Sequence, residues 1–145
     1  MALVEKTVLV PHAAGAMFAL VDTPENYPLF LPWCGGVDLK SRDDHTTVAT
    51  LHIDYHGLKQ NFTTENSKVF PVSMDIRLVD GPFRHLEGKW RFVPLAEDAC
   101  KIEFKLHYEF SSHLLERIIA PVFSHIANTF VDAFVARADQ TLTPK

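Results

Sequence analysis

The chain has 145 residues, 47% of them hydrophobic and 22% charged, with a formal net charge of −4. That is the size and balance of one globular domain, residues 1–145, with a real core, and its acidity argues against a nucleic-acid binder driven by a broad positive field while leaving room for a local basic patch. The longest run without a polar side chain, Ala13 to Val21, is too short to cross a bilayer, and the N-terminus lacks the basic-then-apolar layout of a signal peptide.

Leu3 to Val10 alternates as a first strand, ended by Pro11. Ala13 to Val21 is alanine-rich and favours helix. Thr23 is placed to cap a second helix with Pro24 at its first position, and Pro28 and Pro32 keep that helix short. Gly35-Gly36 releases the chain into a strand near Val37 to Arg42, which Asp43-Asp44 turns. From there the period is two. Ala49, Leu51, Ile53 and Tyr55 share a face, Gly57 makes a turn, and Leu58 to Glu65 is a more polar strand with mixed faces. Val72, Met74, Ile76 and Leu78 alternate after Pro71, and Asp80-Gly81-Pro82 signals another turn. Leu86, Gly88, Trp90 and Phe92 form the next alternation, and Ile102 to Phe110 the cleanest one. Turns about every ten to twelve residues favour antiparallel hairpins over parallel crossovers.

From Ser111 to about Leu142 the period changes. Leu115, Ile119, Val122, Ile126, Phe130, Phe134, Ala138 and Leu142 recur at steps of three and four, one face of a helix capped by Ser111 or Ser112. At 1.5 Å per residue such a helix runs roughly 45 Å. Pro121 lies inside it and predicts a kink or a break. A sheet with one wet and one dry face needs a cover, and the last helix is the large apolar one available. The expected architecture is α+β: one strand, two short helices, six antiparallel strands and a long C-terminal helix gripped by a curved sheet.

The residues themselves argue for binding rather than catalysis. The dry faces carry Leu51, Ile53, Tyr55, Met74, Ile76, Trp90, Phe92, Phe104, Leu106 and Tyr108, with little that titrates beyond the tyrosines. No nucleophile elbow, zinc-protease, P-loop or dinucleotide motif is present. The eight histidines show no zinc pattern, so no metal is expected. Cys34 and Cys100 lack CxxC spacing and read as reduced thiols, with Cys34 a buried thiol rather than a nucleophile. Trp33 either plugs the end of the core or joins Pro32 as the rim of a pocket mouth. Gly81-Pro82-Phe83-Arg84 reads as a turn, with Phe83 and Arg84 as an added entrance contact to a membrane surface.

The element order resembles the helix-grip fold of the START-like, polyketide-cyclase/dehydrase-related superfamily. Tyr27-Pro28-Leu29-Phe30-Leu31-Pro32-Trp33-Cys34 resembles the Y-x-x-F-L-P-W-C signature of the coenzyme Q-binding protein family and its bacterial RatA members. Gly81 to Leu86, Trp90 to Pro94, Lys101 to Ser111 and Phe134 to Ala138 are similar to its later blocks. The resemblance implies a hydrophobic cavity between sheet and long helix, holding a polyisoprenoid quinone as ligand with no cofactor required. Its lining would be Pro32, Trp33 and Phe83, the dry set above, and Ile119, Val122, Phe123, Ile126 and Phe130 of the helix. It implies a non-enzymatic, ubiquinone-binding protein of the bacterial cytoplasm that serves respiration and touches the inner membrane transiently. The alternative it implies is a toxin that binds the large ribosomal subunit and blocks subunit joining. A polyketide cyclase or aromatase is a second alternative, resting on fold analogy alone.

Overall fold

The computed structural model describes residues 2–142. The elements run β1 (Ala2–Val10), α1 (Ala14–Val21), a six-residue 3-10 helix (Pro24–Leu29), β2 (Cys34–Arg42), β3 (Thr46–Tyr55), β4 (Leu58–Val69), β5 (Ser73–Asp80), β6 (Phe83–Ala96), β7 (Ala99–Phe110) and α2 (His113–Thr141). All seven strands form one antiparallel sheet in the order β1-β7-β6-β5-β4-β3-β2. The long helix α2 covers its dry face, so the fold is the α+β helix grip that the order of elements predicts.

Hairpin chemistry sets the register. His56 and Gly57 both adopt positive φ, 51° and 82°, between the paired residues Tyr55 and Leu58. That two-residue, doubly left-handed loop matches the twist of the strands it joins. It fixes Leu51 opposite Phe62, Ala49 opposite Thr64 and Thr47 opposite Asn66. Gly81, at φ 151°, turns β5 into β6 where a Cβ would sit 2.7 Å from that of Phe62, so the turn requires glycine.

Three local expectations change. The second short helix is 3-10, and Thr23 does not cap it: its hydroxyl donates to the Ala19 carbonyl instead, closing α1. Of the kink or break expected at Pro121, the break does not occur: α2 runs through it for 29 residues. Pro121 faces solvent, and Ile119 and Phe123 on either side are buried against the sheet, holding both halves in place. The start of α2 is capped by Ser112, whose hydroxyl accepts from the Leu115 N–H at 3.2 Å. By length and composition α2 is apolar enough to cross a membrane, which a count of unbroken apolar runs misses. Here Ile119, Phe123, Ile126, Ala127, Val131, Phe134 and Ala138 bury its stripe as a core helix.

Two aromatic clusters flank the middle of the core. Tyr27, Trp33, Trp90, Phe104, Phe130 and Phe134 meet mostly edge-on or tilted toward the C-terminal half of α2. Phe62, Phe83, Tyr108, Phe110 and Phe123 meet toward its N-terminal half. Helix α2 approaches β7, β1 and α1 most closely, leaving its other side standing off β3 to β5.

Candidate functional site

An internal cavity occupies that stand-off, with a volume of about 70 Å³. Its apolar walls come from β6 and β7 through Leu86, Trp90, Phe104 and Leu106, and from α2 through Phe123, Ile126, Ala127 and Phe130. Pro24, Tyr27 and Trp33 close one end. The remaining wall is built by β3, β4 and β5, with Thr47, Ala49 and Leu51 facing Asn66, Thr64 and Phe62 across the pair, and Ile76 beyond. Polarity is graded along this wall. Leu51 and Phe62 are apolar, Ala49 and Thr64 intermediate, and Thr47 and Asn66 polar.

Of the expected lining, Trp33, Leu51, Ile76, Trp90, Phe104 and Leu106 border this space, as do Phe123, Ile126 and Phe130 of the helix. The others lie elsewhere. Ile53, Met74, Phe92, Tyr108 and Ile119 are buried in the core and do not border this space. Phe83, expected at an exposed entrance, is 6% exposed because Phe62, Phe110 and Phe123 enclose it. Arg84 beside it does face solvent and reaches Glu109 at 3.4 Å. Val122 packs on the rim of the core. Pro32 and Tyr55 border a separate surface groove with Phe30, His125 and Thr129, where the Tyr55 ring stacks on His125 at 5.8 Å. Trp33 is 3% exposed and stands between the two spaces, bordering the cavity on one side and, with Pro32, the surface groove on the other.

The polar wall was hidden by treating dry faces as apolar faces. Its signal is the strict alternation carried back from Leu51 through Ala49 to Thr47, and on from Phe62 through Thr64 to Asn66. The same face of β4 continues to Lys68, whose side chain is 4% exposed and pairs with Asp22 at 2.9 Å. Asp22 also accepts from the Thr47 hydroxyl at 2.8 Å, so both carboxylate oxygens are engaged. The inner surface thus holds an ion pair that the sequence reading did not place there.

The chemistry of this lining is recognition. Tyr27 is the titratable residue among the described residues that border the cavity; its hydroxyl donates to the Val21 carbonyl, and burial pushes its pKa far above the ordinary phenol range. A phenol so engaged is neither a base nor an acid at neutral pH. Cys34 and Cys100 are free, buried thiols whose pKa values burial raises, the reverse of an activated nucleophile. No grouping of three or more His, Cys, Asp or Glu suited to a metal ion occurs among the described residues. His52, on the outer face, instead pairs with Asp38 at 2.8 Å and holds that carboxyl below its usual range.

The volume is informative. One water needs roughly 10–15 Å³ of such space, so about 70 Å³ admits a few waters or a small fragment. Small-molecule sites run from about 300 Å³ upward. The space as it stands is therefore smaller than an ordinary small-molecule site.

Comparison with known proteins agrees with this geometry. The family described as "Polyketide cyclase / dehydrase and lipid transport" matches residues 10–135. The chain is 37% identical to the "Ribosome association toxin RatA" of Escherichia coli over 142 residues, covering 98% of this chain and 90% of that one. It is 38% identical to the RatA of Pseudomonas aeruginosa over 137 residues, covering 94% and 95%. A more distant match, 31% identical over 128 residues, is the mitochondrial "Coenzyme Q-binding protein COQ10 homolog B" of Xenopus laevis, covering 84% of this chain and 52% of that one. Among solved structures, the Zhui aromatase/cyclase of Streptomyces superposes with a TM-score of 0.79 at 17% identity, covering 98% and 96%, a likeness of fold alone. An 18 kDa protein of Caulobacter crescentus superposes with a TM-score of 0.71 at 29% identity, covering 97% of each chain.

Proposed function

We propose that this chain, which belongs to the RatA, PasT and coenzyme Q-binding group of the polyketide cyclase/dehydrase and lipid transport family, works in the bacterial cytoplasm by binding the large ribosomal subunit and hindering subunit joining. The observation that carries this reading is the 37% identity to a ribosome association toxin over 98% of the chain. The proposed action is binding rather than catalysis: Tyr27, the titratable residue among the described residues that border the cavity, is held by its hydrogen bond to the Val21 carbonyl.

Charge placement says what kind of contact this must be. On the outer sheet face Arg77 meets Glu65 at 2.7 Å, Arg91 meets Glu103 at 3.5 Å and Lys89 meets Asp75 at 3.6 Å. Cations matched in this way add little positive field. With these pairings and a net charge of −4, the contact is expected to rest on shape and local pairing, with a salt dependence shallow compared with that of an RNA binder making many phosphate contacts. Raised expression in a bacterial host should shift ribosome profiles from joined ribosomes toward free subunits. An unchanged profile at high protein level counts against the reading.

The cavity itself favours a second reading, in which the protein holds a quinone-like lipid. The graded wall suits a molecule with an apolar body and a small polar head, and burial of roughly 0.8 kcal/mol per methylene would drive uptake of its tail. Trp33 and Trp90 both line the space, so titration with a short-chain benzoquinone should quench tryptophan fluorescence saturably. A flat titration, together with no quinone in organic extracts of the protein from its host, removes this reading.

A further inference from the structure

At one end of the sheet, where β1 finishes and where β4 turns into β5 and β6 into β7, large apolar side chains stand in water. Leu9, Val69, Phe70, Val72 and Leu95 are each at least half exposed. The register brings them together. Leu9 of β1 is paired with Lys101 of β7, and Lys101 in turn with Val93 of β6. Neighbouring strands lie about 4.8 Å apart, so that row spans roughly 10 Å. Leu95 follows Val93 by two residues, just before the β6–β7 hairpin. The β4–β5 loop is tied to the same strand, because the Phe92 N–H donates to the Val72 carbonyl at 2.8 Å. Phe70 in that loop rests edge-on against Phe18 of α1, yet most of its surface remains exposed. Single exposed leucines are ordinary on a protein surface, whereas a contiguous group with an aromatic among them marks a contact surface.

The charges around the patch say what it meets. The hairpin tip between the paired Ala96 and Ala99 is Glu97-Asp98, both exposed. On the other side, Asp43 and Asp44 share a surface groove with Phe70 and Phe18. The cations of that groove are matched, Lys68 by Asp22 at 2.9 Å and Arg42 by Glu25 at 2.8 Å. The backbone N–H groups of His45 and Thr46 hold the Asp43 carboxyl below its usual range, so it stays charged. Lys101 within the row is outnumbered by the carboxylates at the rim. An apolar centre with an acidic rim repels RNA and anionic lipid, and two copies set patch to patch would bring like charges together. It suits a basic protein. Proteins seated in a ribosomal subunit are basic because they neutralise the phosphates around them.

We infer that this end of the sheet is the ribosome-docking surface, and that it meets a basic protein of the large subunit rather than ribosomal RNA. This rests on the ribosome-binding reading above and goes beyond it, because it names the face and the chemistry of the partner. Apolar burial at the centre supplies the affinity and the rim charges guide the approach, which matches a shallow salt dependence.

The test is co-sedimentation of the full chain with purified large subunits. Leu9→Ser combined with Leu95→Ser should weaken association about tenfold or more, and Phe70→Ser should do likewise. Leu9 and Leu95 already face water, so their double variant keeps the wild-type melting midpoint and decides the question even if Phe70→Ser loosens α1. Leu114→Ser with Ile118→Ser removes an exposed apolar pair from α2 instead and should change nothing. Glu97→Lys with Asp98→Lys should also weaken association, the sign that a basic partner requires, whereas an RNA partner would be held more tightly. Undiminished association of the Leu9 and Leu95 double variant, or tighter association of the charge-reversed one, overturns the inference and leaves the ribosome reading standing. Flotation of the wild type with phosphatidylcholine vesicles, or a wild-type dimer in sedimentation equilibrium, either of them lost in the same double variant, assigns the patch to another occupant and overturns it too. Absence of the wild type from the large subunit overturns the ribosome reading and the inference with it.

Discussion

Trp90→Ala should destabilise the protein by about 3–5 kcal/mol, the range for removing a fully buried aromatic side chain. Trp90 is 1% exposed and touches Phe92, Phe104, Phe130 and Phe134 with ring centroids 4.6 to 5.8 Å away. It therefore joins β6 to β7 and both to α2 in one aromatic block. The cavity beside it makes the loss larger rather than smaller, because the new void merges with existing space instead of being filled by inward collapse. Urea unfolding of the two proteins, compared at equal slope, measures the difference. A change under about 1 kcal/mol would mean that α2 is held by other contacts and that the aromatic block is not the core.

Lys68→Ala should cost about 3 kcal/mol, the lower end for breaking a buried ion pair. The lysine side chain is 4% exposed, whereas that of Asp22 is 17% exposed and keeps some water once its partner is gone. The lower end of the range follows from that asymmetry. The cost is mainly that of an abandoned carboxylate, so replacing both members with apolar residues, as in Asp22→Leu with Lys68→Met, should recover most of the loss. Chemical denaturation of the single and double variants decides it. If the double variant is as unstable as Lys68→Ala, the pair is a net source of stability in its own right.

These two residues also show what the sequence makes legible. Trp90 sits in an alternation of Leu86, Gly88, Trp90 and Phe92, and its inward direction follows from period two. The helical stripe through Ile126, Phe130 and Phe134 is legible for the same reason at period 3.6. Large apolar residues on regular elements announce both their element and their face, so the strands, their antiparallel order and the gripping helix could be read from the chain. Lys68 announces nothing. Its partner is 46 residues away on the far side of two turns, and composition places a lysine in solvent. Asn66, Thr64 and Thr47 were missed likewise, since inner position was inferred from apolarity. Position in the register would have found them: once His56-Gly57 is seen as a two-residue turn, every second residue of β4 from Phe62 onward must face the core.

Empty space was the harder quantity. Gly88 on the inner face of β6 shows why. A Cβ there would stand 2.9 Å from the Lys105 carbonyl and 3.1 to 3.2 Å from Leu106 and Ile76. The wall is therefore tight at that point, although its smallest residue suggests room. Volume depends on how far α2 stands from β3 to β5, and no local pattern encodes that distance. The resemblance implied a cavity, and the structure contains one whose present size holds a few waters or a small fragment.

The most direct measurement is co-sedimentation of the purified protein with separated small and large ribosomal subunits over a series of salt concentrations. The account predicts that it travels with the large subunit at physiological ionic strength, with a shallow loss as salt rises, and remains at the top of the gradient with the small subunit. Absence from the large-subunit fraction at physiological ionic strength would contradict it.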